Sequence, residues 1–285
     1  MRSPQDREQP WYLDPLIDFD DIDAWHSSLT QALRSELPAS TQTILVAAKP
    51  RYIEDACELV LELGERDALI DAVLGWLRGD VIAGFHGSRL SEADVASIEA
   101  TGLVPLDAGS RRERLARALS CHPRWSAVAH SLDDAIDRHG PSDAAGHREG
   151  QAHLTLSYAG LVDGFNHYLR YGSEFDQHVA HSLLGPEGYD ALAADGRPTL
   201  IGFAVPGEAA LNAAHPHFTI DDVRRNGDLP NIADEFLKAW SYKLAHPAFQ
   251  SSTLKIDCGL VFRDIVPSDW LFRVEDVNER LLSTR

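Results

Sequence analysis

The sequence predicts an α+β protein, with a helical N-terminal region over residues 1–79 and a mixed region over 80–285. Three observations predict it. Apolar residues in the first 80 positions recur at helical spacing. After Gly79-Asp80 short apolar strands alternate with helices. Those strands follow one another without regular βαβ spacing, which argues against a doubly wound parallel sheet. A chain of 285 residues, 44% of them hydrophobic, suits one large domain or a catalytic domain with a smaller attachment.

The elements follow in order. Residues 1–19 read as an irregular arm, docked through Trp11 and Pro15. Asp20 or Asp21 can cap a helix running to Leu37, with Trp25, Leu29 and Leu33 four apart, and Pro38 ends it. Pro50 suits the first turn of a helix over Tyr52–Leu63, closed by Gly64. A third helix covers Arg66–Leu77, with Leu69, Val73 and Trp76 on one stripe. Val81–Phe85 is a strand. Ser91-Glu92-Ala93-Asp94 resembles a capping box for a helix reaching Gly102, and Arg111–Leu119 is amphipathic. Residues 121–150 read as partly irregular, with a short helix near 131–138. His153–Ser157 alternates with period two and reads as strand. Leu161–Tyr171 and Phe175–Leu184 are helical, split at Gly172-Ser173. Thr199–Val205 is strand, Ile232–Leu244 helix, and Leu254–Phe262 and Trp270–Val274 strands.

The formal charge of −18 disfavours nucleic acid as a partner. Arg111-Arg112-Glu113-Arg114 is the best candidate for a local basic patch, and a solvated helix face explains it better than a binding patch. No apolar run reaches the roughly 18 residues of a membrane span, and Met1 to Pro10 are polar. The expectation is a cytoplasmic protein with no membrane partner, although an exported effector or toxin would look the same. Cys57, Cys121 and Cys258 form no CxxC pair and read as reduced, mostly buried thiols. His178 and His181, and His215-Pro216-His217, match no metal-site spacing, so no metal is expected.

Chemistry concentrates at His86-Gly87-Ser88-Arg89, where the first strand ends. Gly87 lets a ligand approach the backbone. His86 can donate a hydrogen bond to a sugar hydroxyl, Ser88 can hold an amide, and Arg89 can pair with phosphate as a bidentate fork. A buried histidine with a surface arginine is the plainer alternative. A second cluster, Asn166–Phe175, combines aromatic and polar groups around Gly172-Ser173. Glu174 there either complements a helix N-terminus or supplies a carboxylate to a cleft, with Tyr171 as its wall.

His86-Gly87-Ser88-Arg89, then a helix containing Ile98, then Thr101-Gly102-Leu103-Val104-Pro105, resembles the first motif of the ADP-ribosyltransferase superfamily. It is closest to the poly-ADP-ribose-polymerase-like and tRNA-2′-phosphotransferase-like branch. The resemblance covers about residues 80–277. It implies a split, mostly antiparallel sheet with NAD in its cleft. It further implies that His86 holds a ribose hydroxyl and that Gly87 and Ser88 hold the nicotinamide amide. The family usually carries a tyrosine on the second strand, where this chain has Thr155 or His153, with Tyr158, Tyr168 or Tyr171 nearby. Its third-motif glutamate is replaced by Asp257 within Lys255-Ile256-Asp257-Cys258-Gly259. The implied activity is NAD-dependent ADP-ribosyl transfer to an unknown acceptor. Orientation would fall to His86, pyrophosphate pairing to Arg89, and the carboxylate role to Glu174 or Asp257. An NAD glycohydrolase, or an inactive ligand- or partner-binding module of the same fold, are the alternatives. A metal-dependent hydrolase using the histidines is a weaker one.

Overall fold

In the computed structural model, the apolar spacing of the N-terminal region becomes four helices. Residues 16–139, 150–215, 220–225 and 230–282 are described. The Trp11–Pro15 arm and part of the 121–150 loop lie outside them. A two-residue strand, β1 (Leu16–Ile17), precedes α1 (Ile22–Ala32), α2 (Thr41–Ala48), α3 (Ile53–Leu63) and α4 (Arg66–Gly79). The first helix stops at Ala32, earlier than Leu37, and Asp21 stands at its N-cap without a side-chain bond. Tyr52 caps α3 and Asp55 returns a bond to its backbone.

Strand β2 (Val81–Leu90) leads to α5 (Glu92–Thr101), α6 (Ala108–Leu119), α7 (Trp125–Val128) and α8 (Leu132–His139). After β3 (Ala152–Thr155) come α9 (Tyr158–Asp163), α10 (His167–Tyr171), α11 (Glu174–Leu184) and α12 (Glu187–Ala194). Strand β4 (Arg197–Pro206) precedes α13 (Gly207–Ala213), α14 (Ile220–Arg225) and α15 (Asn231–Ala245). The chain closes with β5 (Gly259–Phe262) and β6 (Leu271–Asp276). The sheet is mostly antiparallel, ordered β5-β3-β2-β4-β6, with β1 parallel to β2. The architecture is therefore α+β, as the sequence predicts.

Two compact units are discontinuous in the chain. One comprises Met1–Gly84 with Ala204–Leu254, the other Phe85–Phe203 with Lys255–Arg285. In the first, Phe19, Trp25, Trp76 and Phe236 pack as an aromatic cluster, with ring centroids 5.0 Å apart for Trp25 and Phe236. Helix α15 turns Ile232, Phe236, Trp240 and Leu244 inward at spacings of four. Three indole N–H groups are satisfied here: Trp25 donates to the Phe19 carbonyl, Trp76 to Ser28 and Trp240 to Thr30.

The second unit holds a separate core, in which α6, α8, α11 and α12 contribute Leu115, Leu119, Ile136, Phe175, Val179 and Leu192. Burial of each such side chain stabilises by about 1.5–3 kcal/mol, as an upper estimate. The Ser91/Asp94 capping box starts α5. Gly102 ends it at φ 93°, where a Cβ would meet the Val266 carbonyl oxygen at 2.1 Å. That close approach lets Leu103 and Val266 exchange backbone hydrogen bonds.

Three further local expectations change. β2 does not end at Phe85 but continues through the His-Gly-Ser-Arg motif to Leu90, which places the motif inside a strand. The expected single helix over Leu161–Tyr171 is broken at Gly164-Phe165, because the Gly164 and Phe165 amides both bond to the Gly160 carbonyl. The expected strand from Leu254 begins only at Gly259, since Lys255 takes a left-handed conformation at φ 51° and turns the chain.

Candidate functional site

Within the second unit, β2, β3 and the segments around them enclose a cavity of about 280 Å³. Its wall includes His86, Gly87 and Ser88 from β2 and Thr155 from β3. Tyr168 and Glu174 from α10 and α11, Arg111 from α6, and Asp257 from the loop before β5 add further polar groups to the wall. Leu103, Leu161 and Phe165 supply apolar surface. Four separate stretches of chain thus converge on one pocket.

The two strands bearing its floor share a single bridge, Phe85 opposite Thr155. Beside that bridge the His86 ring bonds through Nδ1 to the His153 carbonyl at 2.9 Å. A carbonyl oxygen can only accept, so Nδ1 carries the hydrogen. Burial, opposed by the carbonyl bond and aided by the charges of Arg111 and Arg114, brings the His86 imidazole down to about 4. The ring is neutral at pH 7, and its Nε2 is a hydrogen-bond acceptor. At Nε2 the ring can therefore only accept; it has no hydrogen left there to donate.

Ser88 lines the cavity and is buried. Gly87 lines it too, but a Cβ there would meet Leu161 at 3.1 Å and Leu169 at 3.2 Å. Its missing side chain lets helices α9 and α10 pack on the strand, a different use from ligand approach. Thr155 is only 5% exposed, and its Oγ1 finds no hydrogen-bond partner among the described residues. An orphaned buried hydroxyl beside a cavity is costly unless something in the cavity completes it.

Ser173 caps α11 by accepting the Asp176 amide, which sets Glu174 in the first turn. The Tyr168 hydroxyl donates to Glu174 Oε1 at 3.0 Å, and His167 Nε2 lies 3.6 Å from the same oxygen. About a third of the Glu174 side chain stays exposed. Asp257 shares the cavity on a loop, not on a strand.

Arg89 and Tyr171 are not part of this wall. Arg89 is buried and its guanidinium is consumed by the Asp195 and Gly196 carbonyls and by Glu279, so it staples a turn and presents nothing to phosphate. Tyr171 packs on Tyr189 and under Arg170. Arg111 and Tyr168 line the cavity instead. The tract Arg111-Arg112-Glu113-Arg114 is not a uniformly solvated face. Arg111 and Arg114, three apart, turn inward toward Asp176, while Arg112 pairs with Asp133 at the surface. That spacing was the available signal for an inward pair.

Among the described residues, no group of three or more His, Cys, Asp and Glu side chains is placed to hold a metal ion. Pro216 and His217 lie outside them. No helix of the described residues is long and apolar enough to cross a membrane. Compared with protein-family models, curated proteins and solved structures, the chain matches none.

Proposed function

We propose that this cavity binds the nicotinamide-ribose end of NAD and that the protein cleaves its nicotinamide–ribose bond, transferring ADP-ribose to an acceptor. One observation carries the reading. His86, Ser88, Thr155, Glu174 and Asp257, which belong to three widely separated stretches of the sequence, line one pocket. At about 280 Å³ the cavity sits at the small end of the range for ligand pockets, which suits half of a dinucleotide better than the whole.

The residues fit the chemistry. His86 Nε2 accepts from a ribose hydroxyl, while Ser88 and the orphaned Thr155 hydroxyl can meet an amide or the second hydroxyl. Arg111 is the cation on the wall and replaces Arg89 as the group that faces phosphate. In the reaction the C1′–N bond breaks and nicotinamide leaves with the bonding pair. An acceptor X–H forms the new bond to C1′ and gives up its proton. Glu174, held by Tyr168, balances the positive charge that develops at C1′ or takes that proton; Asp257 is the second carboxylate in reach of the pocket.

NAD labelled separately on nicotinamide and on adenine tests this. Free nicotinamide with label on an acceptor supports transfer, and free nicotinamide with free ADP-ribose identifies a glycohydrolase. Absence of turnover combined with retained NAD binding would leave the same pocket as a binding module.

A further inference from the structure

Asp176 is an ionisable side chain that the proposed chemistry does not use, yet it is 1% exposed. Burying a carboxylate costs several kcal/mol unless it is well paired. Its Oδ2 takes Arg111 Nη1 at 3.1 Å and lies 3.9 Å from Arg114 Nε, while Oδ1 finds no partner among the described residues. Arg114 in turn donates to the Arg89 carbonyl of β2. The same carboxylate sits on the turn that starts α11. Its amide bonds to Ser173 Oγ, the Gln177 amide bonds to the Ser173 carbonyl, and the Gln177 side chain bonds to the Gly172 carbonyl at 2.8 Å. Gly172, at φ 81°, leaves the space into which Arg114 Nη2, Asp176 Oδ2 and Ser88 Oγ converge. A path of bonds therefore runs from the first turn of α11 through Asp176 to α6, and through Arg114 to β2.

We propose that Asp176 is a positioning residue: its ion pairs with Arg111 and Arg114 fix the first turn of α11 against β2 and so hold Glu174 facing His86 and Ser88. The catalytic part of this rests on the NAD reading above; the mechanical part does not. Glu174 is two residues from Asp176, and its own partners include Tyr168 and His167, both only partly buried. The buried pair is the stiff member of the frame.

The test uses the full chain carrying Asp176→Asn, which keeps the shape and removes the charge. Amide exchange is followed at Gln177 and, as an internal reference, at Phe236 in α15. Turnover of NAD is measured per folded molecule. The expected result is exchange at Gln177 faster by about tenfold or more, with Phe236 unchanged, and kcat lower by about 100-fold with KM moved less than about threefold. Unchanged exchange at Gln177 in a folded variant overturns the proposal. So does a lowered melting temperature with wild-type kcat per folded molecule, which would make Asp176 purely structural. If Asp176→Asn does not fold, Arg114→Gln removes the outer leg of the frame without touching the cavity wall, and the same two readouts decide in the same way. A wild-type protein that fails to turn over NAD sinks the ADP-ribosyl reading alone, because exchange at Gln177 still decides whether the frame exists.

Discussion

Acidification should weaken this protein through His86, and the size of the effect follows from its surroundings. The unfolded chain titrates this imidazole near 6.5, whereas burial and the two arginines bring it to about 4 in the folded protein. A basic group with a depressed folded pKa binds more protons unfolded than folded between those values. Stability is therefore intact well above pH 6.5, falls as pH drops through the window, and levels off below about 4. Between pH 7 and pH 5 the loss works out at about 2 kcal/mol, and over the whole window at about 3 kcal/mol. His86→Gln keeps a donor for the His153 carbonyl and does not titrate. Urea unfolding of both proteins from pH 7 to pH 4.5 isolates the contribution, since every other titrating group is common to the two. The wild type should lose about 2 kcal/mol more than the variant on reaching pH 5. Parallel pH dependences, or a ring that titrates near 6 when followed by its own NMR resonance, would refute the burial argument and with it the neutral Nε2 acceptor.

Other outcomes follow from single features. Thr155→Val removes the orphaned hydroxyl, so the ligand-free protein should gain about 1 kcal/mol, roughly 2 °C in melting temperature, while any NAD-induced rise in melting temperature shrinks; a lower melting temperature with an intact NAD effect would contradict the orphan's role. Gly102→Ala puts a methyl group 2.1 Å from the Val266 oxygen at φ 93° and should cost at least about 2 kcal/mol in urea unfolding. A thiol-specific disulfide reagent at pH 8 should label Cys121 quickly and Cys57 only on unfolding, because Cys121 is exposed while burial raises the Cys57 thiol to about 12; equal labelling rates would show the first unit to be open.

The parts that reasoning from residues could reach were those set by local periodicity. The stripe of α4, the Ser91/Asp94 box and the Gly172-Ser173 break all rest on contacts within a few residues, and all stand in the structure. Long-range partners were not legible. Nothing local says that residues 204–254 join the compact unit of the first 84, since that depends on where their apolar faces find cover. Arg89 illustrates the same limit at the site. Its sequence neighbours made it a phosphate ligand, but the Asp195-Gly196 turn and Glu279, over a hundred positions away, capture it first. The strand end at Phe85 failed because β2 is extended by pairing, not by composition, through a glycine and a serine of low strand preference. Conversely His86, Ser88 and Glu174 could be chosen by chemical type, and Thr155 and Asp257 by the resemblance, and the fold brings those five onto one cavity.

The most direct test of that cavity's assignment is a calorimetric titration of NAD into the wild-type chain and into His86→Ala. One site per chain is expected, with affinity at least tenfold weaker in the variant, the loss of about 1.4 kcal/mol that removing one well-placed acceptor implies. No binding by the wild type, or equal affinity in both proteins, would contradict the reading of His86 and its neighbours as an NAD site.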